Sequence, residues 1–214
     1  MYRFIIENIG ELMDRGGGVM WLLLMLSIVA VTLIFERMWF WITTNRPRRL
    51  AGVSGLAMAL RRGEVAKLQA WIGGDQSVYA SLVRIIIHGG ASEAAVAQAI
   101  ESQQGRIQRF MPALSTIITA SPMLGILGTV LGLIKALKIF ATDQRVTDPS
   151  VVSPAIGESL ITTAAGLTVA IFVLFPYNWY RAQVDRTLGR LEILAAAAEE
   201  GLATEAQTSP DNPK

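Results

Sequence analysis

The chain has 214 residues, of which 52% are hydrophobic and only 17% charged, whereas a soluble domain carries about 25% charge. A net charge of +2 is too small to point to nucleic acid, and the lack of cysteine excludes disulfides and thiolate-bound metals. The apolar residues are gathered into three long runs, so lipid is the solvent that the composition implies.

Residues 1–15 set Phe4, Ile5, Ile9, Leu12 and Met13 on one side of a helix and Arg3, Glu7, Glu11 and Asp14 on the other. That pattern suits an amphipathic segment lying on the outer, periplasmic surface; a frayed tail is the alternative. Residues 16–35 then run without a charge, closed by Glu36-Arg37 and by Arg46, Arg48 and Arg49. About 20 apolar residues carry a helix across the hydrocarbon core, and lipid admits only helices or closed barrels. The run lacks the alternation of a barrel strand, so a first transmembrane helix is placed at 16–42. No small-residue cleavage site follows it, and a basic stop-transfer cluster does, which argues against a removable signal peptide.

Residues 43–111 read as cytoplasmic helices broken at Gly63, Gly73-Gly74 and Gly89-Gly90. The segment is too short for a sizeable core of its own, which implies packing against extensions of the spans. Val96, Ile100, Ile107 and Phe110 recur at helical spacing and predict a helix running into the second span, with Pro112 as a kink or boundary. Uncharged runs at 110–134 and 159–180 give a second transmembrane helix at 112–140, a periplasmic loop at 141–152 and a third transmembrane helix at 153–180. A cytoplasmic helix at 181–203 and a polar, disordered tail at 204–214 complete the expectation.

Basic residues set the orientation. Nine lie within 43–111, and Arg181, Arg186 and Arg190 follow the third span, against Arg3, Arg15 and Arg145 on the other side. Lys135 and Lys138 run against this trend and read as lysines that snorkel to the interface. The fold class is therefore an all-α membrane protein, three transmembrane helices with long cytoplasmic helical extensions, N-terminus periplasmic and C-terminus cytoplasmic.

Catalytic constellations are absent from the sequence: there is no Gly-rich phosphate loop, no acid cluster at metal spacing and no thiol, and the lone His88 reads as structural or solvated. No cofactor, metal or enzymatic activity is expected. The spans carry more. In the second, Ser121, Gly125, Gly128 and Gly132 fall on one stripe, which lets helices approach closely in lipid. Thr129 beside it is either a backbone-bonded packing residue or a pore-lining one. In the third, Ser159, Thr163, Gly166 and Ala170 share a stripe, and Glu158 is the only carboxylate inside or bordering these two spans. A charge in the bilayer costs roughly 2.5–3.5 kcal/mol, so it faces water or a partner unless it sits near the outer edge. Glu158 and Thr163 are about 140° apart around a helix, whereas Thr162 shares the Glu158 face. Packing is thus assigned to Gly125, Gly128, Gly132 and Gly166, and a proton pathway to Thr129, Thr163, Glu158, Thr162 and Ser159.

The run SPMLGILGTVLGLI (121–134) resembles the second-span signature of the ExbB/TolQ/MotA proton-channel family, and PAIGESLITTAAGL (154–167) its third-span signature. The likeness extends to Glu36-Arg37, Phe110-Met111-Pro112 and Tyr177-Asn178; a family proline before the Asn is replaced by Phe172, with Pro176 instead. The resemblance implies that Thr129 and Thr163 align with the pore threonines and Glu158 with the third-span acid. It also implies a homopentamer in the bacterial inner membrane, around two copies of a single-span ExbD/TolR-like partner whose transmembrane aspartate carries the proton. A TonB- or TolA-like protein would receive the work, and three spans favour the TolQ/ExbB branch over the four-span MotA branch. Independently, a proton path through about 30 Å of hydrocarbon needs a titratable group at mid-depth; this chain offers one acid, off-centre, and the missing carboxylate is expected from another protein. The function expected is a proton-conducting subunit of an ion-driven motor; the alternative is a non-conducting scaffold that docks envelope proteins through its glycine stripe.

Overall fold

The computed structural model describes residues 2–90, 92–142 and 153–208. Among them every regular element is a helix: α1 (Tyr2–Thr44), α2 (Pro47–Arg61), α3 (Val65–Ile72), α4 (Val78–Gly89), α5 (Glu93–Ile107), α6 (Met111–Thr142) and α7 (Ser153–Thr208). Residues 143–152 of the expected outer loop, 209–214 of the expected tail and the side chains of the expected amphipathic face before Gly17 lie outside the described residues. Three stretches are long and apolar enough to cross a membrane: Gly17–Thr44, Met111–Lys138 and Ser153–Gly201. The chain is an all-α membrane protein. It divides into two compact units, residues 1–36 with 111–178 and residues 37–110 with 179–214, so that α1 and α7 each contribute to both.

The first unit holds the apolar lengths of α1, α6 and α7. Its close-packed seam lies between α6 and α7, where Leu114, Ile117, Ser121, Gly125 and Gly128 are buried, as are Ser159, Thr162, Gly166, Ala170 and Val173. Large apolar side chains elsewhere on the three helices, such as Trp21, Met123, Phe172 and Phe175, stay exposed. A water-soluble monomer does not leave that much contiguous apolar surface uncovered. Gly17 interrupts α1 with φ 61° and ψ −162°, a conformation essentially reserved for glycine. Gly17→Val should therefore destabilise the protein by about 1–3 kcal/mol, seen as a lower thermal midpoint in detergent, although no neighbour would collide with the new Cβ.

In the second unit, α2 to α5 fold with residues 37–44 of α1 and the later part of α7. Tyr79, Leu82, Val83, Ile107, Leu191, Leu194 and Trp41 form its dry interior. The helix breaks fall at Gly63, Gly74 and Gly90, all with positive φ, which glycine adopts without steric penalty. Ser77 and Ser92 cap α4 and α5, accepting hydrogen bonds from the amides of Ala80 at 3.3 Å and Ala95 at 3.4 Å. At the surface, a hydrogen bond from Lys67 holds the Glu64 carboxyl below its usual range. His88 is exposed.

Of the kink or boundary expected where the fifth helix runs into the second span, the structure forms a boundary. α5 ends at Ile107 and α6 begins at Met111, with Phe110 between them at φ 65°. Pro112 stands in the first turn of α6, where its missing N–H leaves no helical hydrogen bond unmade; the left-handed Phe110 is held by its neighbours. The Arg37 guanidinium lies 5.5 Å from the Phe110 ring centroid and 4.5 Å from that of Phe40, and Arg109 sits 4.6 Å from Phe110. Arg37 is 2% exposed and donates to the carbonyls of Arg106 at 3.1 Å and Ile107 at 3.5 Å. It therefore satisfies the carbonyls that end α5 and complements the negative end of that helix. Arg37→Leu is expected to lose about 2–3 kcal/mol of stability, measured by thermal unfolding of the purified protein. Arg37→Lys should recover only part, because an ammonium cannot fork and stack as a guanidinium does.

Candidate functional site

The site lies within the first unit, where α6 and α7 run against each other with almost nothing between their backbones. A Cβ added to Gly125 would stand 3.0 Å from the Thr163 Cα and 3.2 Å from its carbonyl oxygen. One added to Gly128 would overlap the Thr162 side chain, one at Gly132 would come within 2.5 Å of the Ser159 Cβ, and one at Gly166 would strike the carbonyl oxygen of Ser121. The two small-residue stripes thus face each other in antiparallel register. Close approach of this kind supplies the dispersion contacts that hold helices together in lipid, where no hydrophobic force remains.

The same closeness places hydroxyls where they meet backbone. Thr163 Oγ1 donates to the Gly125 carbonyl oxygen at 2.8 Å, a hydrogen bond between the two helices. Thr129 Oγ1 donates to Ile126 O of its own helix at 2.7 Å, and its side chain is half-buried beside the exposed Val130. Ser159 Oγ donates to Ile156 O at 2.7 Å and Thr162 Oγ1 to Glu158 O at 3.2 Å. Each of these hydroxyl protons is spent on a carbonyl, yet each oxygen keeps lone pairs that can accept.

Toward the loop-proximal ends of α6 and α7 the packing opens into a cavity of about 140 Å³. Glu158, Ser159 and Thr162 of α7 line it with Lys135, Gly132 and Gly128 of α6, and the break at Gly17 supplies the α1 wall. Thr129 and Thr163 are not part of this lining. The structure therefore brings Glu158, Thr162 and Ser159 to one space, as the shared helix face of Glu158 and Thr162 suggests, and keeps Thr163 in the interhelical contact. Glu158 Oε2 lies 3.8 Å from Lys135 Nζ, with the lysine side chain 68% and the glutamate 32% exposed. Sequence reasoning missed this pairing and treated Lys135 only as an interfacial lysine. No local signal announces it, because the register that brings the two side chains together is set by contacts between two helices. Among the described residues no group of three or more His, Asp or Glu is placed to hold a metal ion.

Comparison with known proteins bears directly on these helices. The sequence pattern of the MotA/TolQ/ExbB proton channel family matches residues 83–193, a stretch that holds α6 and every α7 residue of this site. The chain is 32% identical over 197 residues to the biopolymer transport protein ExbB-like 3 of Synechocystis, covering 84% of this chain and 91% of that protein. It is 31% identical over 183 residues to the Tol-Pal system protein TolQ of Pseudomonas aeruginosa, covering 82% and 75% respectively. To the biopolymer transport protein exbB1 of Vibrio cholerae it is 26% identical over 194 residues, covering 87% and 85%. On the family match and on these likenesses over most of its length, the chain belongs to the MotA/TolQ/ExbB proton channel family.

Proposed function

We propose that this chain is the proton-conducting subunit of an inner-membrane motor that turns ion motive force into mechanical work on envelope partners, in the manner of an ExbB or TolQ. The observation that carries the reading is the α6–α7 seam. Hydroxyls and one carboxylate are gathered there, inside helices otherwise clad in exposed apolar side chains. Side chains of this type can relay a proton through water, but hydroxyls cannot hold one at neutral pH. The carrier is then a carboxylate from a second protein, an ExbD/TolR-like single-span partner with a transmembrane aspartate, and a TonB- or TolA-like protein takes up the work.

In this reading Thr129, Thr163, Glu158, Thr162 and Ser159 wall the path, and the exposed apolar faces of α1, α6 and α7 meet lipid and neighbouring copies in a homopentamer. The basic second unit lies in the cytoplasm and the N-terminus in the periplasm, following the distribution of Lys and Arg. The driving energy is about 2.3 kcal/mol per charge per 100 mV, enough to bias an interface with two arrangements. The test is a vesicle containing the complex purified with its co-isolating single-span protein. Under an imposed voltage, proton uptake is expected above that of empty vesicles. No uptake from an intact, correctly inserted complex would favour the scaffold reading, in which the seam only docks partners.

A further inference from the structure

Lys135 is an unusual residue to find on this wall. It sits in a stretch long and apolar enough to cross a membrane, and it runs against the basic-residue asymmetry that orients the rest of the chain. The structure gives it a location: its ammonium lines the same cavity as Glu158, Ser159 and Thr162 and lies 3.8 Å from the Glu158 carboxylate. Consider the cavity without it. One carboxylate and two hydroxyl oxygens remain, and both hydroxyl protons are turned onto backbone carbonyls at Ile156 and Glu158. An anionic group with oxygen lone pairs around it is the donor set that hard cations take.

We propose that Lys135 is a specificity-determining residue of the path: its tethered ammonium stands where a metal cation would be bound beside Glu158, so sodium is turned away while protons pass. The inference rests on the conduction reading and adds the choice of ion to it. The physical distinction is one of bulk and charge. A sodium ion must settle among the oxygens as a whole ion, displacing an ammonium that cannot diffuse away and being repelled by it. A proton needs no such place, because it moves by exchange along water and hydroxyl oxygens and is handed on to the partner's carboxylate.

The experiment uses the complex as isolated from membranes, reconstituted with its companion into vesicles, with lumenal pH dye and radioactive sodium read in parallel under one voltage. Wild type is expected to take up protons with sodium flux at the empty-vesicle level. Lys135→Met should raise the ratio of sodium to proton flux at least tenfold, and Lys135→Arg should leave the ratio low, since the charge and not the side chain is the barrier. Lys135 is largely exposed, so these exchanges do not disturb the seam. An unchanged ratio in Lys135→Met, with wild type conducting protons, overturns this proposal and leaves the conduction reading standing. Wild-type vesicles that pass neither ion overturn both.

Discussion

Gly166→Ala is expected to destabilise the protein by about 1–3 kcal/mol, the cost of overpacking a close-fitted interior. A single methyl group has this effect because of what it meets. The Cβ would run into the carbonyl oxygen of Ser121 and stand 3.1 Å from the Gly125 Cα and 3.2 Å from its amide nitrogen. All three are backbone atoms of a helix, and none can rotate aside. The whole of α6 must shift away from α7, which weakens the Thr163–Gly125 hydrogen bond along with the dispersion contacts of the seam. Gly157→Ala on the same helix is the control. Nothing lies within 4 Å of its added Cβ, and replacing glycine by alanine within a helix stabilises by roughly 0.5–1 kcal/mol. Thermal unfolding in detergent should thus move the two variants in opposite directions. Equal effects would mean that the seam is not the close contact the structure describes.

Much of this was legible in the residues because lipid simplifies the physics. Three uncharged runs of sufficient length leave helices as the natural solution, and the small-residue stripes of 121–132 and 159–170 mark the faces that meet. The glycines that break the second unit were equally plain. What the sequence did not yield was partnership between elements. It left open whether the Thr129 hydroxyl bonds backbone or faces a pore; in the folded chain it donates to Ile126 O. It left the junction at Pro112 as a kink or a boundary, because hydrophobic spacing continues through Phe110 and nothing local announces that a buried Arg37, some seventy residues earlier, will stack on that ring and cap the carbonyls before it. Nor did composition reveal that Gly17 breaks α1 and opens a wall of the cavity beside Glu158. These are long-range or backbone effects, and the period of a single helix carries no record of them.

Thr163→Val should abolish proton-coupled work while the complex still assembles, and the structure explains why those two outcomes separate. Valine keeps the volume and branching of threonine, so the closely packed Gly125 finds the same shape beside it. What disappears is the hydroxyl that donates to the Gly125 carbonyl at 2.8 Å. Hydrogen bonds between membrane helices contribute about 0.6–2 kcal/mol, a loss that a seam of glycine contacts tolerates. By contrast, valine offers no lone pair in place of the hydroxyl oxygen, so a relay through that position is lost. Proton uptake by vesicles holding the complex should fall below a tenth of wild type, with Thr163→Ser retaining a measurable part because it restores a hydroxyl. Glu158→Ala should fall similarly, since it removes the sole carboxylate of the cavity lining. Gly128→Leu is the opposite kind of change: it drives a side chain into Thr162 and should break assembly before conduction can be asked about. A scaffold that merely docks partners predicts the reverse order of sensitivity. Full proton uptake in both Thr163→Val and Glu158→Ala, beside failure of Gly128→Leu, would leave the seam as an adhesive surface and place the path elsewhere.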